Sequence, residues 1–333
     1  MAVAQNLLHA WVWFMGWFKP LWIKFCRWLI GMPAWVPAAS EQVHKVVVIG
    51  DGLAMGIGDR VILGSSGGIA SRMQDEAATV RPGKKRPRTR WYVYNCGEAN
   101  STTFDWLPNP KDGENKGFYH KVFGDNNGCY GRDAEIVIVM LGTQDILRNV
   151  DGMSEDVLAR PPPGQQNLRN RYKPEDYCST VANLREICTA LLLSHPNRRV
   201  ILCDVMSMKD YRVTRGRYGE VLYRLNFQLI DMIADLGDGK GAVVGGLTDS
   251  DPTDANCTAR QTFDFGKRKP IWSHISPPKI TTRSWARCGD LTHLSARGYK
   301  ELAKWLLGNS VIDAMFAVEL NWWEKKIGLG KKN

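Results

Sequence analysis

Apolar positions in this chain of 333 residues fall into short β-branched runs separated by stretches of helical spacing. The run from Lys45 to Ile49 predicts a buried strand, and Trp91 to Asn95 a second short one. Ala134 to Leu141 (AEIVIVML) is the clearest central strand. Pro174 to Ser194 predicts a helix, because apolar residues recur at Val181, Leu184, Ile187, Cys188, Leu191 and Leu192. Val200 to Val205 reads as a fourth strand, Arg217 to Leu236 as a second helix, and Ala242 to Leu247 as a fifth strand. Ser295 to Leu307 is a closing helix with Ser295 as its N-cap. Strands and helices alternate over residues 45–310. That order predicts a mostly parallel sheet covered on both faces.

Long irregular stretches interrupt this pattern. Arg81 to Arg90 (RPGKKRPRTR) packs six basic residues with two prolines. It is expected to be a solvated loop rather than an anion-binding patch, since no aromatics interleave for base stacking. Lys111 to Arg132 is rich in Gly and Asn, Asp151 to Tyr172 holds three consecutive prolines, and Ser250 to Gly289 is a long basic insertion. Loops of this length in an α/β domain are expected to be lids or contact surfaces. Gly64-Ser65-Ser66-Gly67-Gly68 does not directly follow a strand and is expected to be a flexible turn.

The first forty residues differ from the rest. They contain no Asp or Glu and hold six of the 13 tryptophans: Trp11, Trp13, Trp17, Trp22, Trp28 and Trp35. Leu7 to Phe18 is almost wholly apolar. Lys19-Pro20 interrupts it, and Leu21 to Ile30 resumes with Lys24 and Arg27 on the way. No charged lead or small-residue cleavage site marks a secretory signal. The segment starts at Met1 and is expected to be retained. The uninterrupted apolar run is shorter than the ~20 residues of a spanning helix, and Pro20 breaks the helical pattern. Two short helices lying in a membrane interface, or one kinked helix crossing obliquely, are expected; burial against a partner protein is the alternative. Trp11, Trp13, Trp17, Trp22 and Trp28 are the candidate membrane or partner contacts. Met315 to Trp323 (MFAVELNWW) with the lysines that follow repeats the pairing of aromatics with cations. The expected organisation is an arm over 1–40, a main domain over 41–310 and an amphipathic C-terminal extension over 311–333.

A net charge of +10 favours anionic surroundings, whether a lipid surface or acidic subunits. Nucleic acid is not expected as a partner. Eight cysteines without a CxxC pair point to reduced thiols rather than a disulfide scaffold, and no zinc-ligand spacing occurs. Neither a Walker loop nor Gly-x-Gly-x-x-Gly is present, so no metal and no cofactor is expected.

Four short elements sit at the ends of predicted strands, where α/β folds place their sites. They are Gly50-Asp51-Gly52, Asn95-Cys96-Gly97-Glu98-Ala99-Asn100-Ser101-Thr102, Gly142-Thr143-Gln144-Asp145, and Asp290-Leu291-Thr292-His293. In order and spacing this set resembles the SGNH, or GDSL-type, hydrolase family over roughly residues 45–308. The resemblance implies a flavodoxin-like three-layer α/β/α sandwich acting on esters, thioesters or acetylated sugars, here with an N-terminal hydrophobic helical arm. It also implies that His293 is the base and Asp290 its orienting acid. The nucleophilic serine would stand at position 52, and Gly52, Gly97 and Gln144 would form the oxyanion hole.

Two positions depart from that pattern. Gly52 stands where the serine belongs, so the acyl-enzyme route is closed. Loss of one triad member costs on the order of a million-fold. Gln144 replaces an asparagine and carries its amide one methylene too far out, and a misplaced donor costs on the order of a hundred-fold. Asp290 and His293 are therefore expected to be vestigial, and Asp51 is expected to hydrogen-bond loop backbone. The leading expectation is a non-catalytic accessory or scaffold subunit of a membrane-associated complex, with a mitochondrial inner-membrane assembly favoured. One alternative is a membrane-surface acyl ester hydrolase with an atypical nucleophile, for which Ser65, Ser66, Ser101 and Thr102 are candidates. The other is a module that holds a lipid or acyl chain in the vestigial cleft.

Overall fold

The computed structural model describes residues 43–59, 68–78, 89–109, 117–125, 131–146, 178–195, 197–205, 241–244, 261–264, 269–272 and 293–326, with scattered helical positions in 14–25 and 225–236. Five parallel strands form one sheet: β1 (Val43–Gly50), β2 (Arg90–Asn95), β3 (Ile136–Met140), β4 (Arg199–Cys203) and β5 (Gly241–Val244). Their spatial order is β2-β1-β3-β4-β5. This is the flavodoxin-like order, in which the direction of winding reverses between β1 and β3.

The sequence explains the centre of the sheet. Val46, Val47, Val48 and Ile49 are wholly buried, as are Ile136, Val137, Ile138 and Val139. A strand covered on both faces reads as a continuous apolar run rather than an alternation. Burying each such side chain contributes about 1.5–3 kcal/mol. The edge strand β2 differs, with Arg90 exposed and Tyr92 only partly buried.

Helices Gly68–Ala78 and Cys178–Ser194 cover the sheet, and residues 225, 226, 228, 229, 232, 233 and 236 are helical as the spacing predicts. The closing helix, Ala296–Leu306, starts at Ser295, whose hydroxyl accepts from Gly298 N–H at 3.2 Å. Its buried face is Gly298, Tyr299, Leu302, Ala303 and Leu306. A π-helical segment, Leu307–Val311, leads into the C-terminal helix, Ile312–Lys326. That helix buries Met315 and Val318 in the main core and fastens to the sheet edge through Glu319. The buried Glu319 carboxylate accepts from Trp91 Nε1–H at 3.0 Å, Thr89 N–H at 2.9 Å and the Thr89 hydroxyl. His44 stacks on Trp91 with ring centroids 4.7 Å apart and meets Trp322 edge-on.

Three segments differ from expectation. Gly68 opens a helix rather than closing a turn. The stretch 111–132 contains helix Phe118–Phe123, whose Phe118, Tyr119, Val122 and Phe123 are buried. The insertion 250–289 contains an antiparallel pair, β6 (Gln261–Asp264) with β7 (Lys269–Trp272). The basic stretch 81–88, the proline-rich stretch 151–172 and Trp11, Trp13, Trp17 and Trp28 lie outside the described residues.

Candidate functional site at the ends of β1 and β3

The site forms where the sheet changes winding direction, the place at which open α/β sheets bind ligands. β1 ends at Gly50, and Asp51 caps the short helix Gly52–Met55 with its carboxylate, which accepts from Leu53 N–H at 2.9 Å. This is the backbone-bonding role expected for Asp51. The carboxylate is 1% exposed, and its Oδ2 has no hydrogen-bond partner among the described residues. Burial pushes Asp51 up to about 6 from its ordinary 3.8, against the pull of the Leu53 N–H, the nearby His293 and the Thr143 hydroxyl; Asp145 pushes it further up.

His293 comes back over this turn from the loop before the closing helix. A β-carbon built on Gly52 would lie 2.7 Å from His293 Nε2 and 3.4 Å from its Cδ2, with Ile57 Cδ1 at 3.0 Å. A nucleophile and its base need about 2.6–3.2 Å between the attacking atom and the ring nitrogen. Here the nitrogen already stands that close to where the preceding carbon would be. The imidazole edge lies against the position of the missing β-carbon. Position 52 and His293 therefore face each other, and any side chain at 52 would require the imidazole end of His293 to shift. Asp290 lies outside the described residues.

The two other oxyanion candidates behave differently. A β-carbon on Gly97 would lie 2.2 Å from Met55 N and 2.6 Å from Ala54 C, so glycine is required for backbone to pass backbone. Its N–H donates to Asn95 Oδ1 at 3.2 Å, while Asn95 Nδ2–H donates to Met55 O at 3.0 Å. Gln144 is partly buried in the helical turn over residues 143–146 that follows β3. Its neighbour Asp145 accepts from Thr103 N–H at 3.0 Å and from the Thr103 hydroxyl, joining the second and third elements.

The sheet has the flavodoxin-like order, with the first three site elements at the ends of β1, β2 and β3. No family model and no curated protein matches the chain. Among solved structures it is similar to a lipase from a goat rumen metagenome, at 8% identity and a TM-score of 0.47, covering 80% of this chain and 97% of that one. It is also similar to LAE5, an alpha/beta hydrolase enzyme from the metagenome of Lake Arreo, at 14% identity and a TM-score of 0.45, covering 82% and 94%. A lipase/acylhydrolase from Enterococcus faecalis matches at 14% identity and a TM-score of 0.42, covering 79% and 93%.

The Ser101 and Thr102 hydroxyls near this site are committed to structure. Ser101 Oγ is wholly buried, lies 3.2 Å from Gly50 O and 2.9 Å from Glu98 O, and accepts from Trp106 Nε1–H at 3.0 Å. Thr102 Oγ1 donates to Asp105 at 3.0 Å. Ser65 and Ser66 lie outside the described residues. Two contacts escaped sequence reasoning. Tyr299 O–H donates to Ile57 O at 2.9 Å, tying the closing helix to the turn after Gly52. Lys24 of the arm pairs with Glu98, Nζ to Oε2 2.8 Å, next to Gly97. No group of three or more His, Cys, Asp or Glu side chains that could hold a metal occurs among the described residues.

Proposed function

We propose that this chain is a non-catalytic SGNH-hydrolase-like protein that serves as an accessory or scaffold subunit of a membrane-associated assembly. The observation that carries the reading is the 2.7 Å approach of His293 Nε2 to the β-carbon position of residue 52. Acyl transfer needs an atom that attacks and a base beside it. Gly52 supplies no attacking atom although His293 Nε2 stands at its β-carbon position, and the buried Ser101 and Thr102 hydroxyls are bonded elsewhere. The engagement of Gly97 N–H by Asn95 supports the same conclusion for the oxyanion donor. The aromatic, acid-free arm supports the membrane part of the reading, with a mitochondrial membrane as the favoured setting.

The test is turnover of a fluorogenic ester by the purified protein. Absence of turnover above background, unchanged in His293→Ala, is expected. Turnover that His293→Ala abolishes would overturn the reading. Gly52→Ser with a fluorophosphonate probe is the complement. No labelling is expected, because the Gly97 N–H is already engaged by Asn95 Oδ1; stoichiometric labelling would show a site lacking only its nucleophile. Co-purification from detergent-solubilised mitochondrial membranes in a large complex tests the scaffold role, and a lone protein there counts against it.

A further inference from the structure

The arm carries a feature independent of the histidine site. Phe14, Phe18, Leu21, Trp22 and Phe25 are helical. Their rings form a ladder, with centroids 5.5 Å apart for Phe14–Phe18, 6.0 Å for Phe18–Trp22 and 5.7 Å for Trp22–Phe25. Spacings of three and four residues place all five on one helical face. Each is between 36% and 46% exposed. A continuous exposed aromatic row of this kind marks a contact surface rather than ordinary scattered apolar exposure. Lys24 leaves the same helix to pair with Glu98. Glu98 N–H donates to Gly50 O at 2.8 Å, so the arm is tied to the loop beside position 52.

We propose that this aromatic face is a docking surface for an anionic lipid bilayer, and that the Lys24–Glu98 pair holds the former catalytic site against that surface. Charge complementarity selects the occupant. Residues 1–40 contain no carboxylate side chain but include Lys19, Lys24 and Arg27, in a chain of net charge +10. An anionic surface attracts such a segment. A second copy would bring the same acid-free arm and another +10, and would be repelled. Among the described residues no helix is long and apolar enough to cross a membrane. Aromatic rings beside cations settle at the headgroup boundary, which places the face in the plane of the interface. This rests on the membrane part of the function proposed above and not on whether the site turns over.

The experiment is co-sedimentation of the full-length protein with phosphatidylcholine vesicles, with and without phosphatidylglycerol. Binding to the phosphatidylglycerol vesicles that weakens with added salt is expected. Phe18→Ser with Trp22→Ser should lower vesicle affinity about a hundred-fold and leave the melting temperature unchanged, since both side chains are exposed. Three outcomes overturn the proposal: no vesicle binding by the wild type, equal binding by the double variant, or a wild-type dimer that the double variant dissociates. Equal binding to both vesicle types removes the anionic requirement. Hydrogen exchange on vesicles reads the orientation. Amides of residues 96–103 should gain protection in the wild type and lose that gain in Lys24→Gln; no gain in bound wild type, or an equal gain in Lys24→Gln, removes the role of the ion pair. The ester assay reads a different site, so either proposal can fail without the other.

Discussion

The imidazole of His293 stands over Gly52 so closely that a β-carbon there would be 2.7 Å from Nε2. The backbone at position 52 is helical and does not have positive φ, so alanine is conformationally acceptable. The ring is the main obstacle. Gly52→Ala should therefore destabilise by about 1 kcal/mol, the low end of overpacking, because the imidazole can shift. In a His293→Ala background the same change should be neutral or stabilising, because alanine is the better helix former by about 0.5–1 kcal/mol. Chemical denaturation of the four proteins in this double-mutant cycle measures the coupling. Additive effects would mean that the two residues do not meet.

Gly97 provides the contrast. Its obstacles are the backbone atoms of Ala54 and Met55, which no side-chain truncation removes. Gly97→Ala should cost about 3 kcal/mol or more, with no rescue by Met55→Ala. A thermal melt close to wild type would show that the strand-end loop yields more easily than its geometry implies.

Asp51 makes stability depend on pH in the direction opposite to most carboxylates. Burial raises it to about 6 from 3.8, so between those values the folded protein holds a proton that the unfolded chain has lost. Stability conferred by the neutral acid is fully present below the unfolded value. It is lost as pH rises through about 4 to 6, by up to about 3 kcal/mol. Asp51→Asn keeps the acceptor for Leu53 N–H and cannot ionise. The stability difference between wild type and this variant should move in the variant's favour across that window. A difference that stays flat would place Asp51 in a wetter setting.

Glu319 holds the C-terminal helix to the sheet edge by accepting from Trp91 and twice from Thr89. Glu319→Ala leaves buried donors unpaired and should cost about 3 kcal/mol. Glu319→Gln keeps an acceptor and should cost less. Hydrogen exchange would register faster opening of residues 312–326 and of β2 in the alanine variant, while unchanged exchange would refute the clamp.

What the sequence made legible follows from the physics of each element. The central strands β1 and β3 announced themselves because strands buried on both faces need continuous β-branched runs, as Val46–Ile49 and Ile136–Val139 show. The Ser295 cap was visible because capping is local. Helix Gly68–Ala78 was hidden: it opens on glycine, and its buried face begins with only Ile69, Ala70 and Met73, too small a stripe to stand out. Helix Phe118–Phe123 is too short to show a period. The order of the four site elements was readable, but the approach of His293 to Gly52 is a contact between residues 241 positions apart and no local pattern encodes it. The same holds for Tyr299 with Ile57 and for Lys24 with Glu98.

The tight passage of backbone at Gly97 has a consequence for what its letter can signify. Steric apposition alone holds glycine there, whether or not an oxyanion ever forms beside it. A residue kept for that reason is silent about activity. In this architecture the presence of that glycine testifies to shape, and only the residues whose removal leaves the frame standing testify to work.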